Sequence, residues 1–264
     1  MTEPAAVRRQ RLSRLIVSRG FVRVAEVSLE LGVSEVTLRG DLSALERQGE
    51  IVRVHGGAMP ASALVDPESP LESSLDRHAA AKAAIGRAAA QLVSSGESVY
   101  VDAGSTAMAL AQALVQRREL HDLIVVTPGL TIALALEAAL PRFSVIVTGG
   151  TLRPLQHSLV NPFAAPMIDS LNLDWAFIGC NGVHPQRGVS NVNLPEAEVK
   201  TRVLQASRQH VILADASKLG RIEVAAIAPL ARFDTLLTAG PASAELLAEL
   251  RAAGLTVIQS ESAG

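Results

Sequence analysis

The chain has 264 residues, 48% of them hydrophobic and 19% charged, with a formal net charge of -2. This balance excludes a disordered, collagen-like or heavily basic protein and is compatible with one or two packed domains. Cys180 is the only cysteine, so one chain can build neither an intrachain disulfide nor a cysteine-based metal cluster. The opening MTEPAAVRRQRL has no apolar core of the kind a secretory signal needs. No uninterrupted apolar run reaches the roughly 18 residues of a membrane span, so a cytoplasmic location away from membranes is expected.

Residues 1–58 hold nine arginines and seven acidic residues, a small excess of the sign that DNA binding needs. Arg8 to Arg19 fits one amphipathic helix with Leu12, Leu15 and Ile16 on a face, and Val24 to Leu31 fits a second. Gly32 breaks the chain and the Ser34 hydroxyl is placed to cap a third helix. There Leu38, Leu42 and Leu45 recur at i, i+4 and i+7 as far as Gln48. Helix, tight turn and helix, followed by Gly49 and the alternating IVRVHGG (51–57), spell a helix-turn-helix with a β-wing; an ordinary three-helix core is the alternative.

If the three leucines face inward, Val36, Gly40, Ser43 and Arg47 point the opposite way at about 100° per residue, with Thr37 and Arg39 on the flanks. On a DNA-reading helix, Val36 and Thr37 suit thymine methyl groups, and Arg39, Arg47 and Arg53 suit phosphates or a base edge. His55 is either a phosphate donor or a turn residue. Residues 59–71, MPASALVDPESPL, carry Pro60, Pro67 and Pro70 and read as a linker between a domain at 1–58 and another at 72–264.

Past the linker, apolar strands alternate with small or polar turns and helices: 98–102, 123–127, 144–150, 175–181, 210–215 and 234–239. The pattern predicts an α/β domain with a mainly parallel sheet covered on both faces, whose strand carboxyl ends meet at one place. Gathered at those ends are Asp102, Gly104, Ser105 and Thr106; Thr127; Gly149 and Gly150; Asn181; and Asp215 with Lys218. Backbone amides at a helix start and an ammonium suit a phosphate, while carboxylates and amides suit hydroxyls, so a phosphorylated polyhydroxy compound is the expected ligand. The competing explanation is that turns are rich in these residues anyway. Lysine is scarce: against 21 arginines the chain has only Lys82, Lys200 and Lys218, which points either to positions needing a compact point charge or to an arginine-biased composition. The six histidines are scattered with no His-x-x-x-His pair, so no metal or cofactor is expected. Cys180 is read as a small buried thiol.

The segment SEVTLRGDLSALERQGEIVRVHGGA (34–58) resembles the winged helix that opens DeoR-family bacterial transcriptional regulators. DAGST (102–106), VTGG (147–150), AFIGCNGV (176–183), PEAEVK (195–200) and ILADASKLG (212–220) resemble that family's effector domain, in the family's order. The resemblance implies a sugar-phosphate sensor on a fold akin to ribose-5-phosphate isomerase. It adds Lys200 to the effector-binding candidates, and Lys82, Lys200 and Lys218 fall where the family often has lysine. Gly40 stands where a second arginine is usual, and Pro128, Asn161 and Ala239 replace a usual Asn, Gly and Asp, which bears on operator and effector preference. The resulting expectation is a repressor of a carbohydrate or polyol operon, bound to double-stranded operator DNA as a homodimer or homotetramer and relieved by a sugar phosphate. Two alternatives stand beside it. One is an isomerase-like enzyme with Asp102 or Asp215 as base and Lys218 as stabiliser; the other is an activator built from the same domains.

Overall fold

A computed structural model describes residues 4–19, 22–48, 50–54, 57–60 and 70–261. The chain divides into two compact units, Met1–Glu68 and Ser69–Gly264, the division falling inside the proline-rich segment.

The first unit runs α1 (Ala5–Arg19), β1 (Val22–Arg23), α2 (Val24–Leu31), α3 (Glu35–Arg47), β2 (Ile51–Val54) and β3 (Gly57–Pro60). Leu12 and Ile16 of α1 meet Leu38, Leu42 and Leu45 of α3 in one cluster, with Val24, Val27 and Ile51 closing it. Gly32 takes a left-handed φ of 64°, the backbone sign that lets α2 turn sharply into α3. Ser34 then accepts a hydrogen bond from the Thr37 amide at 3.2 Å and caps α3. β2 and β3 form the antiparallel wing. The two-residue β1 pairs with the outer side of β3, an addition too short to leave a periodic signal.

The second unit contains α4 (Leu71–Asp76), α5 (Ala79–Gln91), β4 (Ser98–Val101), α6 (Ser105–Gln116), β5 (Leu123–Thr127), α7 (Leu130–Leu136) and β6 (Phe143–Val147). It continues with β7 (Thr151–Arg153), β8 (Ser158–Val160), α8 (Ala164–Asp169), β9 (Leu173–Gly179), β10 (Gly182–His184), β11 (Gly188–Asn191) and α9 (Leu194–Val203). Last come β12 (Ser207–Leu213), β13 (Ala225–Ala228), β14 (Thr235–Ala239), α10 (Ala244–Ala252) and β15 (Thr256–Ser260).

Seven strands form a wholly parallel sheet in the order β15-β14-β12-β9-β4-β5-β6. Alternate residues go to opposite faces, and both faces are buried. Val99, Val101, Phe177, Val211 and Leu213 join the layer of α5, α6 and α7, while Tyr100, Ala176, Ile178 and Ile212 join that of α8, α9 and α10. Gly86 lets the first of these layers close up: a Cβ there would lie 2.5 Å from the carbonyl carbon of Ala109, so α5 and α6 touch backbone to backbone.

From β4 the chain first builds outward through β5 and β6, then returns to lay β9 on the other side of β4. Adjacent crossovers therefore leave in opposite directions at β4 and β9, which opens a crevice at their carboxyl ends. Two additions flank it, the β7–β8 hairpin and a second small sheet, β10-β11-β13.

Candidate functional site

On α3, Leu38, Asp41, Leu42 and Leu45 are buried. Val36 is 80% exposed, and Ser34, Thr37, Arg39, Gly40 and Arg47 are exposed beside it, with Ser43 and Arg53 half-buried. The outward stripe is prearranged. Arg53 of the wing donates to the Ser43 hydroxyl at 3.2 Å, Arg47 donates to the Ser43 carbonyl at 3.2 Å, and Arg39 pairs with Glu35 at 3.2 Å on the surface. An added Cβ at Gly40 meets nothing within 4 Å, so the helix has bare backbone at the centre of this stripe. His55 lies outside the described residues.

Asp41 is the residue of this helix that leucine periodicity misses. Its carboxylate takes two bonds from the buried Arg8 guanidinium, 2.6 Å to Oδ2 and 3.3 Å to Oδ1, which locks α1 against the reading helix. The signal was an acidic residue between two inward leucines.

In the second unit the crevice holds two charged groups side by side. The first surrounds Lys200. Its Nζ faces Asp102 Oδ2 at 3.1 Å, the Gly179 carbonyl at 3.0 Å, Asn191 Oδ1 at 3.4 Å and Glu196 Oε2 at 3.7 Å. Three protons thus meet four oxygens of the protein itself. Burial alone would lower the Lys200 ammonium, but the Asp102 and Glu196 carboxylates outweigh it and hold it above its usual value. Asp102, also accepting from the Gly179 amide at 2.9 Å, is raised by burial against the pull of Lys200. Burial raises Glu196 as well, yet Lys200, Arg153, Asn191 and Ser158 overcome that and leave it low. Tyr100 is pushed well above its ordinary range by burial and then by the charges of Asp102 and Glu196. Glu196, Asn191 and Arg153 escaped sequence reasoning, although the i, i+4 spacing of Glu196 and Lys200 on a helix was a usable signal.

The second group has spare positive charge. Lys218 is half-buried and has no hydrogen-bond or ion-pair partner for its ammonium among the described residues. Lys82 is buried and donates to the Ser74 carbonyl. Burial lowers its ammonium; Asp215 opposes the drop, and the charges of Lys218 and Arg77 add to it. The one carboxylate among the charges that act on Lys82 is Asp215, which is itself partly used in capping Ser217. Cys180 lies within reach of both groups, since the charges of Lys200, Lys218, Asp102 and Asp215 all act on its thiol. Burial pushes that thiol up to about 12 and leaves it protonated and inert.

Between the groups, Gly104 starts α6 with a φ of 103° and no side-chain cap, so the amides of Ser105 and Thr106 open on the crevice at the positive end of the helix dipole. Asn181 spends its Oδ1 on the Val192 amide at 3.2 Å. The remaining candidates sit toward β6. The Thr127 hydroxyl accepts from the Gly129 amide at 3.1 Å, and Gly149 and Gly150 allow the hairpin to close, a Cβ on Gly150 falling 1.8 Å from the Val160 oxygen. Among the described residues no cluster suited to a metal is found, and no helix is long and apolar enough to cross a membrane.

A winged helix-turn-helix with an arginine-lined outer stripe, followed by an α/β domain with a charged crevice, defines a DNA-binding regulator with a ligand-sensing half. Residues 8–63 match the DeoR-like helix-turn-helix domain and residues 77–240 the DeoR C terminal sensor domain. The chain is 36% identical to the uncharacterized HTH-type transcriptional regulator YgbI of Escherichia coli K12, over 88% of each chain. It is 31% identical to a putative aga operon transcriptional repressor of Escherichia coli O157:H7, over 95% of this chain and 92% of that one. It is 34% identical to the HTH-type transcriptional regulator GolR of Listeria innocua, over 95% and 96%. Ribose 5-phosphate isomerase A of Methanocaldococcus jannaschii overlaps 52% of this chain and 53% of its own at 18% identity and a TM-score of 0.39, a likeness too distant to bear on activity. The protein belongs to the DeoR family of transcriptional regulators and is a regulator, not an enzyme.

Proposed function

We propose that this regulator represses a carbohydrate or polyol utilisation operon and releases its operator when a phosphorylated sugar enters the crevice at the ends of β4, β9 and β12. The observation that carries this reading is the cationic excess of Lys82 and Lys218, whose charges act on each other, together with the start of α6, which has no side-chain cap. A phosphate there neutralises the charges of the buried Lys82 and the half-buried Lys218, which otherwise repel each other. Ser105 and Thr106 offer amides and hydroxyls to the same anion. Asp215, Asn181 and the Asp102 group, which Lys200 holds in position, line the way for the sugar hydroxyls; Thr127, Gly149 and Gly150 bound its far side. The repressor name carried by one relative supports the sign of regulation.

At the other end, Val36, Thr37 and the bare backbone at Gly40 approach base edges, while Arg39, Arg47 and Arg53 hold phosphates and Ser34 and Ser43 fix the helix and wing. Two such heads in a homodimer or homotetramer grip two half-sites, since one short reading helix binds weakly alone. For release, the ligand must favour the arrangement that binds DNA poorly, and a coupling of about 1 to 3 kcal/mol changes affinity roughly 5- to 150-fold. The test is calorimetry of the full chain with ribose 5-phosphate, fructose 6-phosphate and glycerol 3-phosphate. Binding of at least one, lost in Lys218→Ala, is expected; no binding of any of them overturns the reading.

A further inference from the structure

The β7–β8 hairpin is tied to the molecule at two places that matter for regulation. Beside its turn, Arg153 pairs with Glu196 and the Ser158 hydroxyl donates to the same Glu196 oxygen at 3.2 Å, while at its open end Asn161 donates to Glu198 at 2.8 Å. Glu196 is also the second carboxylate facing Lys200, whose first is Asp102. At its tip, the Leu155 carbonyl accepts from the Leu71 amide at 2.8 Å, and His157 lies 3.4 Å from Glu72. Leu71 is 3% exposed and begins α4, the first element after the division between the two units. The hairpin is otherwise seated on the sheet through Leu130 N to His157 O at 2.8 Å and Leu159 N to Pro128 O at 2.9 Å.

We propose that this hairpin is a strap that converts occupancy of the crevice into a looser seating of α4, the element with which the second unit begins. This rests on the reading that a hydroxylated anion binds in the crevice. The Lys200 ammonium is shared between Asp102 and Glu196. A ligand hydroxyl bonding to Asp102 draws on that carboxylate and frees Lys200 to move onto Glu196. Glu196 then holds Arg153 and Ser158 less firmly, the turn they flank loosens, and the Leu155 to Leu71 bond within that turn opens more often. Every link is a hydrogen bond or ion pair inside the second unit, and the state it biases is a local opening of α4 rather than a change of fold. Arg153 is a positioning residue here, because it acts on α4 through the hairpin and not on the ligand.

Hydrogen exchange of the full chain tests the strap without any ligand. In Arg153→Met, the amides of Leu71 and Ser74 are expected to exchange about tenfold faster, the effect of losing one charge-assisted bond, while those of β14 and α10 keep their rates. Arg153→Lys should restore much of the protection. If the single variant fails to fold, as a melting curve shows, Arg153→Met with Glu196→Gln removes both charges of the pair and serves instead. A second readout separates a strap from a merely structural contact. Whichever of ribose 5-phosphate, fructose 6-phosphate and glycerol 3-phosphate binds the wild type should, at a concentration that saturates Arg153→Met, no longer shift that variant's operator affinity. Unchanged exchange at Leu71 and Ser74, or an undiminished shift in operator affinity, overturns the proposal. Failure of all three compounds to bind the wild type removes the sugar-phosphate reading and with it the ligand side of the strap, and the exchange rates then decide whether the hairpin holds α4.

Discussion

Two glycines in helix interiors should respond oppositely to the same substitution. At Gly40 an added Cβ meets nothing within 4 Å, so Gly40→Ala recovers only the helix propensity that glycine forgoes, about 1 kcal/mol of stabilisation. At Gly86 the added carbon would stand 2.5 Å from the Ala109 carbonyl carbon and oxygen and 2.7 Å from the Leu110 nitrogen, where ordinary contact begins at 3.4 Å. The obstacle is backbone and cannot rotate aside, so α5 and α6 must part by about 1 Å, disturbing the packing of Ile85 and Leu110 between them. Overpacking of this kind costs about 1 to 3 kcal/mol and here belongs at the upper end, leaving Gly86→Ala about 1 to 2 kcal/mol less stable after the propensity gain. Urea unfolding of the full chain separates the cases. Trp175, the only tryptophan, stacks on Phe177 at 5.8 Å between ring centroids and reports the second unit; far-UV dichroism also follows the first. A Gly86→Ala protein with a higher urea midpoint by Trp175 fluorescence would refute the backbone contact between α5 and α6, and a destabilised Gly40→Ala would refute the exposed orientation of α3.

Further expectations concern the reading head and the crevice. Arg8→Met should leave Asp41 buried without its main partner and cost about 3 to 5 kcal/mol, seen as loss of DNA binding and of helical signal while the Trp175 transition stays in place. Arg39→Ala should weaken binding to all sequences and lower the slope of log affinity against log salt by about 1, measured by fluorescence anisotropy. An unaltered slope would put Arg39 off the phosphates. For Cys180 the folded thiol stays protonated to about 12 while the unfolded one ionises near 9.0, so above pH 9 the unfolded chain binds fewer protons and stability falls as pH rises. The loss at pH 10 is about 1 kcal/mol, and Cys180→Ser should remove it from the urea midpoints; an unchanged alkaline decline would show that Cys180 is not its source.

The parts legible in the sequence are those in which one local pattern decides the structure. The leucines at 38, 42 and 45 fixed the inner face of α3 because its helix is long enough to repeat the pattern, and the Ser34 cap follows from one hydroxyl at one position. Six of the seven sheet strands were visible as apolar runs, the five inner ones because both faces of the sheet are buried there and the edge strand β6 because FSVIV is apolar in itself. β15 was not, since its edge position leaves TVIQS mixed in polarity, and three-residue strands such as β7, β8 and β10 carry no periodicity at all. In the crevice, Asp102, Asp215 and Lys218 announced themselves by following strands. Glu196 and Arg153 did not, because their roles come from a hairpin and a helix brought together by tertiary packing. Lys200 was recognisable as unusual, but nothing in the sequence tells that four protein oxygens enclose its ammonium whereas that of Lys218 meets no such partner among the described residues.

The most direct measurement is the affinity of the full chain for the DNA upstream of its own gene, by fluorescence anisotropy at fixed salt, with and without each sugar phosphate. At least one compound should weaken binding roughly 5- to 150-fold, and Lys218→Ala should bind the same DNA normally and ignore the compound. Operator affinity indifferent to every sugar phosphate, in a protein that still holds its DNA, would contradict the crevice as the place from which DNA binding is controlled.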